Sequence, residues 1–162
     1  MNLISTIAGI GLLVLTVGAG LSYVNPAARS VAETTAVITA GFQALSQAYQ
    51  ARQMTGAPAP DAAAWKSALF PAYGFEPKPP GGASWSYGDD AIGRWFCLTA
   101  AKADQVMREA LDGAGRHYSA TSYQVSAKCG EDAAAKSGTA AGAAGVAGDS
   151  VSATLWLSRE GP

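Results

Sequence analysis

The chain has 162 residues and a formal net charge of −1, with 11 lysines and arginines against 12 aspartates and glutamates. That length suits one globular domain with an appendage, and the charge balance gives no electrostatic basis for binding nucleic acid or acidic lipid. Charged residues make up only 14% of the chain, and the shortfall from a globular norm of roughly 25% has two sources, the N-terminal stretch and an Ala/Gly-rich run from Ala133 to Gly148.

No side chain before Arg29 is charged, and Leu3 to Val24 form one apolar run. The run has the length of a membrane-crossing helix. A cleavable secretory signal begins with basic residues and has a shorter core. Here there is no basic start, and Ala19-Gly20-Leu21 makes a poor cleavage site. The stretch therefore reads as retained. Helical periodicity continues past Pro26, with Val31, Ala32, Thr35, Ile38, Phe42, Leu45 and Tyr49 on one face and Arg29, Glu33, Thr34, Gln43, Gln47 and Gln50 on the other. Pro26 is expected to kink this helix without ending it, and Gly41 to be a second soft point. The end is expected near Met54-Thr55-Gly56, because Pro58 and Pro60 block continuation. Such a helix of about 53 residues is about 80 Å long, far more than a bilayer core of roughly 30 Å. The chain thus divides into a hydrophobic half-helix (1–28), an amphipathic half-helix (29–55) and a globular head (56–162). Thr16 with Gly20, and Gly18 with Ser22, form small-residue pairs that let helices approach closely.

In the head, Asp61 is expected to cap a short helix anchored by Trp65, Leu69 and Phe70 and stopped by Pro71. Ala83 to Tyr87 alternates as a strand, Gly88-Asp89-Asp90 turns, and Gly93 to Leu98 returns, giving a hairpin with a loop of several residues. Thr99 is expected to cap the next helix, which buries Val106, Met107, Ala110 and Leu111 and stops at Gly113. Tyr118 to Ser126 reads as extended, with Tyr123 and Val125 on one side, and Ala133 to Gly148 as exposed and mobile. Val151 to Leu157 alternates cleanly, and its tryptophan places it inside the sheet. The sum is an α+β fold, a long helix on a small, mostly antiparallel sheet. Cys97 and Cys129 are the only cysteines. Behind a membrane segment they favour a disulfide; two unrelated buried thiols are the alternative.

No catalytic constellation emerges. His117 is the only histidine and lacks companions at metal-ligand spacing. Asp89-Asp90 after Gly88 is turn chemistry before it is a cation site. Gly9-Ile10-Gly11 begins like a dinucleotide fingerprint but has neither the third glycine nor a preceding strand. No serine lies in G-x-S-x-G. Trp65, Trp85, Trp95 and Trp156 read as four core anchors rather than a sugar-binding face.

The uncharged start at Met1, the proline-softened long helix and the segment FQALSQAYQARQMTGAPAP resemble type IV pilins of the type IVb class. The stretch LTAAKADQVMREAL from Leu98 resembles the helix those proteins carry in that region, and Cys97 and Cys129 match the cysteines that bound their disulfide-closed region, 97–129 here. The resemblance implies a pilin-like α+β fold whose helix protrudes by its hydrophobic half. It implies a structural subunit of a bacterial surface filament, neither enzyme nor cofactor carrier. The partners would be copies of itself in a helical homopolymer, the inner membrane before assembly and the pilus assembly machinery, with no nucleic acid as direct ligand. The chain would be a single-pass inner-membrane protein first and an extracellular filament later. Met1, Ser5, Gly9, Leu12, Leu13, Thr16, Gly20, Tyr23 and Pro26 would pack the filament core, and Val31, Ile38, Phe42, Leu45 and Tyr49 would pack helix to head. Two departures stand out. Ser5 takes the place of a glutamate that in the family neutralises a neighbouring N-terminal amine, which leaves the Met1 amine to find another partner or lose its proton. That points to a minor or tip subunit, or to a filament with altered core packing. Cys97 sits just before the helix that often contains the family's first cysteine. A secretion pseudopilin is a close variant, and a membrane-anchored periplasmic binding module using an aromatic face is the reading from another class.

Overall fold

A computed structural model describes residues 26–131 and 150–159. Chain contacts separate residues 1–30 from residues 31–162, and the core belongs to the second unit. The expectations on Met1 to Tyr23, and on Ala133 to Gly148, lie outside the described residues. Among the described residues no helix is long and apolar enough to cross a membrane.

The first helix, α1, runs Pro26–Met54. Ile38, Phe42 and Leu45 are fully buried and Tyr49 nearly so, at steps of three and four that keep them on one helix face. The buried stripe is shorter than its sequence pattern. Val31 is half-buried and Ala32 is exposed. At Thr35 the helix also meets the head, where its hydroxyl donates to the Ala110 carbonyl at 3.3 Å. Gly41 proves to be a packing position rather than a soft point. The helix runs through it unbroken, and a Cβ there would lie 2.4 Å from the Trp85 ring, so only glycine lets that ring approach. The helix ends as its sequence indicates: Thr55 N–H donates to Arg52 O, Gly56 N–H donates to Gln53 O, and Gly56 takes φ +75°. Arg52 then ties down the exit, donating to Pro58 O and Ala68 O, both at 3.0 Å.

The short helix α2 is Trp65–Leu69, later than expected. Asp61 does not cap it. Its carboxylate accepts from Ala63 N–H at 2.7 Å, closing a turn two residues on, and Ala64 stands at the helix start with no side-chain cap. Trp65 and Leu69 are buried, while Phe70 is half-buried with its ring 6.3 Å from that of Trp65.

Strands β1 (Ala83–Asp90) and β2 (Gly93–Ala100) form a hairpin. Its loop is only Ala91-Ile92, so Gly88, Asp89 and Asp90 belong to the strand rather than the turn. Asp90 closes this loop, its Oδ1 accepting from Ile92 N–H at 2.9 Å and Gly93 N–H at 3.3 Å. Helix α3 (Gln105–Gly115) is capped by Asp104, which accepts from Met107 N–H at 2.8 Å. Thr99 is not the cap. It pairs within β2, opposite Ser84 on one side and Ser152 on the other. Met107, Ala110, Leu111 and Ala114 are buried, Val106 only partly. The helix passes through Gly113, where a Cβ would lie 2.9 Å from the Thr35 hydroxyl, so this glycine serves close helix approach rather than termination.

Strand β3 is Tyr123–Ser126, shorter than the extended segment expected, because Ser119 and Ser122 form a turn before it. Strand β4, Val151–Arg159, lies between β2 and β3 in a four-stranded antiparallel sheet of order β1-β2-β4-β3. The fold is therefore α+β, with a long helix and an antiparallel sheet. Strand alternation sends Trp85, Tyr87, Phe96, Leu98, Val125, Val151, Ala153 and Leu155 into one core. Phe42 of α1 sits at its centre, edge-on to Trp85 at 4.9 Å and Tyr123 at 5.7 Å.

Candidate functional site

Two surfaces carry chemistry beyond the core. The first is the leading part of α1. Pro26 to Ser30 are exposed, as are Ala32, Glu33, Ala36 and Ala40, and Val37 is 44% exposed despite its apolar side chain. A helix of this length is costly to leave bare on its apolar residues. Of the residues expected to join helix to head, Ile38, Phe42, Leu45 and Tyr49 are brought together in the core, whereas Val31 is half-buried and not part of it.

The second surface is the sheet face turned away from the core. Here alternation places Ser86, Cys97, Thr99, Ser152 and Thr154 side by side across β1, β2 and β4. Cys97 forms a disulfide with Cys129, 32 residues later. Cys97 is fully buried, while Cys129 is half-buried on the strap that follows β3. Hydroxyls surround the bond. Thr154 Oγ1 donates to Cys97 Sγ at 3.6 Å, Thr99 Oγ1 lies 3.0 Å from Cys129 Sγ, and Ser86 Oγ lies 3.6 Å from it. Thr99 also meets Ser152 Oγ at 3.1 Å. The strap is further fixed by Gly130 N–H, which donates to Thr154 Oγ1 at 3.1 Å. Its conformation at Gly130, φ +70°, favours glycine.

The four tryptophans do not share one core. Trp65 and Trp85 lie in the core between helices and sheet, Trp65 with its ring 5.6 Å from that of Phe96 and Trp85 4.9 Å from that of Phe42. Trp95 and Trp156 meet edge-on at 6.5 Å on the disulfide face. Trp95 passes between two glycines: a Cβ at Gly88 would lie 2.1 Å from its ring, and one at Gly130 2.9 Å. Its Nε1 donates to Asp90 Oδ2 at 3.0 Å. Asp89 pairs with Arg94 at 3.0 Å, so both carboxylates of the Asp89-Asp90 pair are engaged by the hairpin itself. Among the described residues no group of three His, Cys, Asp or Glu side chains is placed to hold a metal ion. His117 is exposed in the turn after α3. The hydroxyl set was readable in principle, since Ser152 and Thr154 alternate in step with Cys97 and Thr99, but only once β4 is paired to β2.

Buried tyrosines give the head a defined alkaline limit. Burial pushes the Tyr123 phenol well up, reinforced by Asp112 and Tyr118, and its hydroxyl donates to Leu111 O at 2.8 Å. Burial likewise raises Tyr87 and Tyr118. Because the folded phenols hold their protons past the unfolded value of about 10, their contribution is fully present below that pH and is lost as pH rises above it. Stability is therefore expected to be flat from pH 7 to about 9 and to fall above about 10. Urea midpoints across this range, with phenolate absorbance followed in parallel, check it. Free ionisation of all six tyrosines near pH 10 in a folded chain would contradict it.

No family model, no curated protein and no solved structure matches the chain.

Proposed function

We propose that this chain is a structural subunit of a bacterial type IVb-like pilus, polymerising through its N-terminal helix into a surface filament. The observation that carries the reading is the distribution of burial along α1. Complete burial is confined to residues between Ile38 and Tyr49, whereas Ala32, Ala36, Val37 and Ala40 stand at the surface. They follow in sequence a stretch with no charge before Arg29. In a lipid bilayer that stretch has an apolar solvent; in a fibre the same surface exchanges lipid for neighbouring helices. Exposed to water instead, it would cost roughly 25 cal/mol for each Å² left bare. Ser5, where the family usually has an acidic residue, favours a minor or tip subunit within this reading. The role is structural rather than catalytic.

Electron microscopy of sheared cell-surface material, with antibody against the head, tests this directly. Fibres labelled along their length indicate a major subunit, and label at one end indicates a tip subunit. Gly9→Leu and Gly18→Leu are expected to abolish incorporation while the head keeps its disulfide and near-ultraviolet spectrum, because leucine keeps two helices from close approach. Normal incorporation of both variants, or absence of labelled fibres from the wild type, would reject the proposal.

A further inference from the structure

We propose that the Cys97–Cys129 bond is a directional thiol-exchange site, open to a small thiolate at Cys129 and closed to one at Cys97. Thiol–disulfide exchange is an in-line displacement, so the nucleophile reaches one sulfur from the side opposite the other. Cys97 lies on β2, an interior strand, and is 0% exposed. Cys129 lies on the strap that follows β3 and is half-buried. A thiolate approaching from solvent therefore finds Cys129 the more accessible of the two residues. Cys97, fully buried on an inner strand, offers no comparable access.

The surroundings favour the same direction. When a thiolate forms the new bond to Cys129 Sγ, the Cys97–Cys129 bond breaks and its electron pair departs on Cys97. The products are a mixed disulfide at Cys129 and a Cys97 thiolate, with no net electron gain or loss. That thiolate forms in a buried place, where an unsolvated negative charge is costly. Thr154 Oγ1 already donates toward Cys97 Sγ at 3.6 Å. Thr99 Oγ1, 4.0 Å from Cys97 Sγ and 3.0 Å from Cys129 Sγ, is free to turn to it once Cys129 leaves. Hydrogen bonds to a charged acceptor are stronger than those to a neutral sulfur, so these hydroxyls assist departure more than they stabilise the resting bond. In reverse, the same geometry makes Cys97 the thiol that closes the bond on a mixed disulfide held at Cys129.

The experiment uses the oxidised, folded full chain with reduced glutathione at increasing concentration. Samples are acid-quenched, denatured, alkylated and peptide-mapped. The expected result is glutathione on Cys129 and the alkyl group on Cys97, at a rate proportional to glutathione without a plateau. Glutathione on Cys97 to an equal or greater extent, or a rate that levels off at the unfolding rate, overturns the proposal. A second measurement separates chemistry from mere anchoring. Thr154 also holds Gly130, so if it is only an anchor, Thr154→Val loosens the strap and speeds exchange. If it receives the leaving thiolate, Thr154→Val slows exchange by about tenfold and Thr154→Ser restores the rate. Faster exchange in Thr154→Val overturns the assisted departure.

Discussion

Phe42→Ala is expected to destabilise the head by about 3–5 kcal/mol, lowering the melting temperature by on the order of 10–20 °C. Phe42 has no solvent exposure. Its ring is edge-on to Trp85 at 4.9 Å, Tyr123 at 5.7 Å and Tyr118 at 6.3 Å, so one truncation removes three aromatic contacts and leaves a cavity. The site collapses poorly. Trp85 is already pressed against Gly41, and Tyr123 is tied to Leu111 O by its hydroxyl, so neither ring moves easily into the gap. Phe42→Leu keeps more of the volume and is expected to cost well under half as much. Urea unfolding followed by tryptophan fluorescence reads both. A loss under about 1 kcal/mol for Phe42→Ala would mean that the helix does not seal the core in the way described.

Replacing Cys97 and Cys129 together by alanine is expected to lower stability by about 3–4 kcal/mol, the loop-entropy value for a closure of 32 residues. The loss falls on one side of the sheet. The bond, the Gly130–Thr154 hydrogen bond and the contact of Gly130 with Trp95 all fix the strap, whereas Phe42, Leu45, Phe96 and Leu98 lie in the opposite core. The double variant should therefore remain folded at neutral pH, with altered Trp95 emission. Its urea slope should rise, because the unfolded chain is no longer held compact by a cross-link. An unchanged midpoint would show that the strap is held by its hydrogen bonds alone.

Much of the fold was legible because period and punctuation agreed. The stop of α1 followed from Gly56, Pro58 and Pro60, and β4 from strict alternation around Trp156. Where local signals competed, tertiary pairing chose. Thr99 and Asp104 are both good caps, and alanines between them suit a helix. What decides for Asp104 is that Leu98, Thr99 and Ala100 are paired on both sides, with β1 and β4. Gly88 carried the look of a turn, yet its lack of a side chain makes room for the cross-strand Trp95 ring. The distinction between Trp85 and Trp95, one facing the helices and one the disulfide, depends on strand register and was not readable from composition. The same holds for the hydroxyls around the disulfide: Ser86, Thr99 and Thr154 come from three strands, and no short motif joins them.

The placement of β4 sets an order of events during biosynthesis. Among the described residues it is the last strand in sequence, yet it occupies an inner position, bonded to β2 and to β3. Until it is delivered, β1–β2 and β3 cannot belong to one sheet, and Phe42 and Leu45 lack the layer formed by Val151, Ala153 and Leu155. A ribosome still adding residues before Val151 therefore holds a nascent head with sticky, half-built interior surface. Such intermediates are prone to aggregate and are slowed by pairing between distant residues, so holdase protection is needed most just before β4 is translated.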